Sequence, residues 1–131
     1  IETPVGLVTG PLDVCEANHH GKDAMGKGFI QAVRPRVFVI QGFALSHPDA
    51  IALRNMLSHS IYAGERDVFT SHLFDANRLV LGKRLVDQLK STEGHIVIRV
   101  YPGGDAYEIY ILDDSSENFT IRGIHGPYES R

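Results

Sequence analysis

Two adjacent histidines near the start of the chain are the residues best suited to chemistry. They lie in the segment Asp13-Val-Cys-Glu-Ala-Asn-His19-His20-Gly21. The apolar-leaning run 12–17 predicts a short buried strand, and the glycine after the histidines permits a sharp turn. Imidazole is the commonest metal ligand in proteins and titrates near neutral pH. The segment therefore predicts a metal or proton-transfer site at a sheet edge. The alternative is a polar turn after a strand.

Two later strand ends also lead into a histidine. The β-branched and aromatic run Val37–Ile40 predicts a strand covered on both faces, and Ser46-His47-Pro48 follows it after a glycine. A third short strand over 67–70 is followed by His72. Because the carboxyl ends of parallel strands meet at one edge, we expect His19 or His20 to lie near His47. Surface positions are expected for the remaining histidines: His59, His72, His95 and His125.

The glycine-rich loop after the histidines allows a different hypothesis. Residues 21–27 satisfy most of the phosphate-binding pattern G-x-x-x-x-G-K-[ST]. Gly28 occupies the position of the hydroxyl residue that would hold Mg²⁺, and the following helix is predicted to be short. A nucleotide-binding module that uses Gly21 to Lys27 is therefore one alternative function. A surface loop is the other interpretation, in which Lys22 contacts an anionic substrate at the mouth of the histidine site.

Helices and strands alternate in the first part of the chain. A short helix over 29–33 ends at Arg34-Pro35, a second begins at 46–49, and a third is predicted over Leu79–Leu89 from the leucine stripe. The last quarter predicts a hairpin, 95–101 and 106–112, around Pro102-Gly-Gly-Asp105. Residues 119–123 predict a further strand. The pattern favours an α/β fold, βαβαβ followed by a C-terminal antiparallel hairpin.

Composition places few limits on function. The chain has 131 residues, a net charge of −3 and one cysteine, Cys15, so it predicts a single domain over residues 1–131 with no general attraction to nucleic acid. No apolar run approaches the roughly 20 residues of a membrane helix, and no targeting pattern opens the chain. We therefore expect a soluble protein with no membrane partner, and its compartment stays open. The start at Ile1 suggests a fragment or a processed product.

The order of these motifs resembles the C-terminal half of a metallo-β-lactamase-fold hydrolase. An apolar strand, His-His-Gly, a helix ending near proline, a strand ending near glycine, and His-Pro follow one another over residues 11–72. The bacterial competence-protein-like branch of this superfamily has this pattern. The spacing of His-His-Gly to His-Pro makes the combined match more specific than either motif.

The resemblance implies half of an αββα sandwich with zinc or another divalent metal at one rim. Members of this superfamily use a metal-bound hydroxide to attack an ester, a phosphodiester or an amide. His19, His20 and His47 would belong to the metal site, and His20 would also act on the leaving group. Lys22 and Ser46 would contact a small-molecule or phosphodiester substrate.

One departure from the family limits what this chain can do alone. The family's ligand cluster H-x-H-x-D-H is absent from these residues, and in the family it lies in the N-terminal half. We therefore expect the chain to be the C-terminal part of a metal-dependent hydrolase, inactive in isolation and partnered by the missing half or by a second copy. The alternative is a non-catalytic interaction domain derived from the same fold.

Overall fold

The computed structural model describes all 131 residues, Ile1–Arg131. Helices and strands alternate through the first two thirds of the chain, and the last third contains strands only. In chain order the elements are α1 (Glu2–Thr9), β1 (Val14–Glu16), a 3₁₀ turn (Asn18–Gly21), α2 (Lys27–Val33), β2 (Val37–Ile40), α3 (Ala50–Leu57), β3 (Asp67–Thr70), α4 (Asp75–Leu81), α5 (Lys83–Val86), β4 (Leu89–Ser91), β5 (His95–Val100), β6 (Ala106–Leu112) and β7 (Ile121–Glu129).

The first sheet contains four parallel strands in the order β1-β2-β3-β4. Its side chains alternate between two faces, as the strand period of two requires. Phe38 and Val68 belong to an apolar cluster shared with α2 and α3. Val37 and Phe69, the residues adjacent to Phe38 and Val68 in the sequence, point to the opposite face and belong to a second apolar cluster, which is shared with the antiparallel sheet. The parallel sheet is therefore covered on both faces, which explains the uninterrupted apolar sequence of β2.

The second sheet is antiparallel, with the order β5-β6-β7. Alternate residues of β6, Tyr107, Ile109 and Ile111, are buried against the parallel sheet. The edge strand β5 is less well covered, since Ile98 is 43% exposed and Val100 is 61% exposed. The chain thus forms three layers, with helices, a parallel sheet and an antiparallel sheet.

The α/β fold and the strands β2 and β3 confirm the sequence prediction. The neighbouring, parallel pairing of β1 with β2 is also confirmed. However, β1 spans only three residues instead of 12–17, and Glu16 is exposed because β1 is an edge strand. The predicted hairpin is present, and the strand expected over 119–123 is instead Ile121–Glu129.

The helix predicted over Leu79–Leu89 is wrong. Gly82 interrupts it with a φ of 79°, a conformation that ends a helix and that glycine adopts readily. Leu89 then starts β4, where tertiary pairing with β3 determines the structure. Two elements were not predicted at all: the first helix, α1, and the edge strand β4.

None of these helices has the length and apolar composition needed to cross a membrane.

Candidate functional site

The structure brings His20 and His47 together at the carboxyl edge of the parallel sheet. The centroids of the two imidazole rings are 4.9 Å apart and their planes differ by 13°, so the rings are stacked. His20 follows β1, and His47 lies between β2 and α3. We refer to His20 and His47 as the histidine pair. The predicted proximity of His20 to His47 is therefore present in the structure.

A tight backbone turn positions His20. His19 and His20 both have left-handed backbone angles, with φ values of 49° and 58°, and Gly21 follows with a φ of 72°. A Cβ on Gly21 would lie only 3.0 Å from the Cβ of Pro48, and this tight approach together with the left-handed backbone favours glycine. The Gly21 carbonyl accepts a 2.9 Å hydrogen bond from the amide of Asp49. This contact holds the His20 turn against the segment that contains His47.

His47 is held from the other side by the start of α3. Asp49 caps this helix by accepting a 2.8 Å hydrogen bond from the Ala52 amide. The carbonyl of Pro48 accepts a 2.9 Å hydrogen bond from the side-chain amide of Asn77, which is buried. These contacts fix the backbone on the carboxyl side of His47. The ring orientation therefore depends on a rigid helix entrance and not on a free loop.

The two rings differ in their hydrogen bonding. Nδ1 of His20 lies 3.0 Å from the carbonyl oxygen of Gln41, and a carbonyl can only accept. In the neutral form of His20, the hydrogen bond therefore places the proton on Nδ1 and leaves Nε2 with a free lone pair. His47 is only 6% exposed, and its Nδ1 atom is buried without a partner. Burial lowers the pKa of His47, and the positive charges of His20, His19 and Lys22 lower it further, which favours the neutral imidazole.

Phe43 covers both imidazoles. Its ring lies edge-on to the rings of His20 and His47, with centroid distances of 4.6 and 4.9 Å. The side chain is nevertheless 67% exposed. Sequence reasoning did not identify Phe43 or Gln41. The one available signal was their position in the loop between the end of β2 and His47.

The other predicted site residues lie around the pair without joining it. His19 is exposed, with its ring centroid 6.5 Å from that of His20. Lys22 is half-buried, with Nζ 4.0 Å from a carboxylate oxygen of Asp23, and Ser46 is exposed. No group of three or more histidine, cysteine, aspartate or glutamate side chains is arranged to hold a metal ion. The chain itself thus contributes two close imidazoles.

Two histidines outside the site correct the surface prediction. His125 is half-buried, and its ring packs edge-on against Phe69 at 4.9 Å. His72 is also half-buried, and the centroid of its ring lies 4.4 Å from that of Phe74. Its backbone forms an isolated antiparallel β-bridge with that of Glu93. His59 and His95 are exposed as expected.

The glycine-rich loop uses its amides within the protein. The amides of Met25 and Gly26 each donate a 3.1 Å hydrogen bond to the carboxylate of Glu2. The amide of Asp23 donates a 2.8 Å hydrogen bond to Asp49. A phosphate in this loop would need those same donors. The observed hydrogen bonds therefore give no support to the nucleotide-binding alternative.

Comparisons with protein-family models, with curated proteins and with solved structures find no match for this chain.

Proposed function

We propose that the histidine pair is part of the metal site of a metal-dependent hydrolase. The observation that supports this most directly is the pair itself, two stacked imidazoles whose nitrogen atoms include a free lone pair on His20 and a buried, unpartnered Nδ1 on His47. A buried polar atom without a partner costs about 1–3 kcal/mol, so its retention requires a reason. A bound metal ion is such a reason.

The donor set suits zinc or another divalent metal that accepts imidazole nitrogen. The carbonyl of Gln41 would orient His20 in the way that outer hydrogen bonds orient metal-binding histidines. Phe43 would exclude water from one side of both rings. The bound metal would supply Lewis acidity to the reaction. His19, Lys22 and Ser46 are close enough in the chain to contact a substrate at this edge.

Two imidazoles are fewer ligands than a hydrolytic metal site uses. The proposal therefore includes further ligands from another part of the polypeptide or from a second copy of the chain. This agrees with the resemblance to the C-terminal half of a metallo-β-lactamase-fold enzyme, in which one half of an αββα sandwich would lie in residues 1–131. An ester or a phosphodiester is the proposed substrate, and His20 is the proposed catalytic residue.

Hydrolysis by the longest polypeptide that the gene encodes tests this function. We expect turnover of an aryl ester or an aryl phosphodiester that a chelator abolishes and that Zn²⁺ restores. The substitutions His20→Ala and His47→Leu should each reduce turnover more than about 100-fold, since ligand losses exceed the 10–100-fold effects of outer contacts. His59→Ala, a change at an exposed histidine, is the matched control and should keep full activity. Activity that withstands both the chelator and the two substitutions would refute the proposal.

A non-catalytic interaction domain is the second candidate, and a separate observation favours it. Large apolar side chains are exposed on the outer sides of three elements. They are Val5, Leu7 and Val8 on α1, Leu79 and Val80 on α4, and Val97, Ile98 and Val100 on β5. Exposed apolar surface of this extent is typical of interaction sites. Metal analysis of the purified protein separates the two candidates, because only the hydrolase requires a bound metal.

A further inference from the structure

The largest cleft of the molecule lies at the amino edge of the parallel sheet, opposite the histidine pair. Its volume is about 880 Å³. The loop between α3 and β3, residues 58–66, forms one wall, and the end of α2 forms another. No acidic side chain is among the residues that line this cleft, whereas Arg34 and Arg131 are, and Arg131 is paired with Asp13 at 3.6 Å. The residues that matter here are Gln31, Arg34, Ile61, Tyr62, Gly64 and Arg131.

A buried positive charge lies under the loop that forms this wall. Arg66 is only 9% exposed, and no carboxylate pairs with its guanidinium group. The group instead donates hydrogen bonds to three carbonyl oxygens of the same loop, those of Ser58, Tyr62 and Gly64. A buried charge that meets only neutral acceptors is unusual, because buried charges are normally paired.

The same hydrogen bonds orient the amides of the loop. In a trans peptide the N–H points in the direction opposite to the C=O. The carbonyls of Tyr62 and Gly64 face Arg66, so the N–H groups of the same two peptides, those of Ala63 and Glu65, point away from Arg66. The amides of Ala63, Gly64 and Glu65 have no acceptor within the protein. Three successive backbone donors of this loop are therefore free, and a set of free amides is one of the features of anion-binding sites.

Arg34 adds a free cation on the facing wall. Its side chain is exposed and makes no ion pair or hydrogen bond. Its backbone is left-handed, with a φ of 40° and a ψ of 56°, at the end of α2 and directly before Pro35. Glycine or asparagine is usual in this conformation, and a residue before proline prefers an extended one. An arginine is thus retained at a position where the backbone disfavours it, which points to a role for its side chain.

We propose that this cleft binds a phosphate monoester with an apolar or aromatic body. Ala63 and Gly64, whose amides are free, line one wall and Arg34 lines another, and donors on two walls suit the tetrahedral oxygens of a phosphate better than a planar carboxylate. Pro11 and Ile61 supply apolar surface for the organic part. Arg131 lies beside the site, although its guanidinium already donates to the carbonyls of Leu12 and Arg34. The proposal involves no residue of the histidine pair.

Amide chemical shifts measured in a chelator-treated sample test the proposal. The probes are phenyl phosphate, benzoate and phenol, which share one aromatic ring and differ in the charged group. We expect phenyl phosphate to shift the amides of Ala63, Gly64 and Glu65 in a saturable way, benzoate to bind more weakly, and phenol to bind least. Equal shifts with benzoate would assign the cleft to carboxylates and contradict the proposal, and so would the absence of saturable shifts.

The substitution Arg34→Gly separates a binding role from a structural one. Glycine suits the left-handed conformation, so the variant should fold with unchanged or higher stability. Its affinity for phenyl phosphate should nevertheless fall about tenfold, since a charged hydrogen-bond donor is lost. Arg84→Ala, which removes an exposed arginine on α5, is the control for net charge and should bind normally. Unchanged affinity in the Arg34→Gly variant would overturn the proposal.

Discussion

The histidine pair and the aspartate cluster are two polar groups at opposite edges of the same sheet, and they differ in how far the protein satisfies them. The aspartate cluster consists of Asp67, Arg36, Lys90 and Tyr128. The Asp67 carboxylate lies 3.1 Å from Arg36 and 3.6 Å from Lys90, and it accepts a 2.7 Å hydrogen bond from Tyr128. In the histidine pair, by contrast, Nδ1 of His47 has neither a hydrogen bond nor an ion pair, whereas Nη1 of Arg36, which also makes no hydrogen bond, still faces the Asp67 carboxylate.

This difference suggests that the aspartate cluster serves stability and that the histidine pair serves function. The aspartate cluster joins β3 of the parallel sheet to β7 of the antiparallel sheet. Burial, together with the hydrogen bond to Asp67, raises the pKa of Tyr128. Such a network is expected to hold the two sheets together. The histidine pair contributes little of this kind, because Nδ1 of His47 makes no hydrogen bond and the pair's one such bond is that of His20 with the Gln41 carbonyl. We expect substitutions at the two groups to affect different measurements.

The largest loss of stability should follow Asp67→Ala. The variant leaves Tyr128 without its acceptor and Arg36 with only the exposed Glu65 as a partner, which should lower the free energy of unfolding by about 2–4 kcal/mol. Urea unfolding measures this change. Asp75→Ala removes an exposed carboxylate that pairs with Arg78 at 3.7 Å and should cost less than about 0.5 kcal/mol. Similar losses in the two variants would show that the aspartate cluster has no special role.

The sequence predicts the parallel sheet better than the contacts at its edges. Alternation of apolar segments with helices is local information, and it correctly places β2 and β3 and the pairing of β1 with β2. The aspartate cluster depends on Asp67 and Tyr128, which are 61 residues apart in the chain. Asp13 is another example, because it accepts hydrogen bonds from Ser130 and Arg131 at the far end of the sequence. Contacts of this kind follow from packing of the two sheets and leave no periodic signal.

A smaller loss of stability should follow Glu2→Gln. Burial raises the pKa of Glu2, but hydrogen bonds from Asn18, Gly26 and Met25 outweigh this effect and lower it below its ordinary value. The variant should cost about 1 kcal/mol at pH 7, because an amide accepts these bonds less well than a carboxylate. The lowered pKa means that this stabilisation is lost as the pH falls below about 4.5.

Hydrogen exchange at α1 is the sharper measurement of the same change. Glu2 ties α1 to the loop before α2, so exchange should accelerate in α1 and in the amides of Met25 and Gly26. Exchange in β2 should stay the same. Faster exchange throughout the protein would show instead that α1 unfolds only with the whole domain.

His125 should produce a pH-dependent effect. Burial lowers its pKa from the ordinary value of 6.5, so the folded state favours the neutral ring. The unfolded state then binds more protons below pH 6.5, and stability falls as the pH drops from 6.5 through the lowered pKa. His125→Phe, which keeps an aromatic ring against Phe69, should reduce the difference in unfolding free energy between pH 8 and pH 5. An unchanged difference would exclude His125 as its source.

The smallest change in stability should follow His47→Leu. Leucine fills the buried site without an unsatisfied polar atom, so the free energy of unfolding should change by less than about 1 kcal/mol and could increase. Thermal or urea unfolding of the metal-free protein checks this. A loss comparable to that of Asp67→Ala would place the histidine pair in the same structural class as the aspartate cluster.

The candidate site could be predicted only in part. Histidines at the ends of neighbouring parallel strands must meet at one edge, so His20 and His47 were identified correctly as neighbours. The same rule did not place His72 with them, since its ring packs against Phe74 instead. The hydrogen bond from His20 to the Gln41 carbonyl and the contact of Phe43 with both rings depend on the path of a loop. No sequence pattern specifies that path.

A zinc titration of residues 1–131, followed through the imidazole nitrogen resonances, tests the central claim most directly. We predict that Zn²⁺ shifts the ring nitrogens of His20 and His47 together and in a saturable way, with coordination through Nε2 of His20. The substitution His47→Leu should weaken the binding of Zn²⁺. The ring-nitrogen resonances of the exposed His59 and His95 should not shift in either the unchanged chain or the variant. The claim would be contradicted if Zn²⁺ shifted all exposed histidines alike, or if the resonances of His20 and His47 did not respond to it.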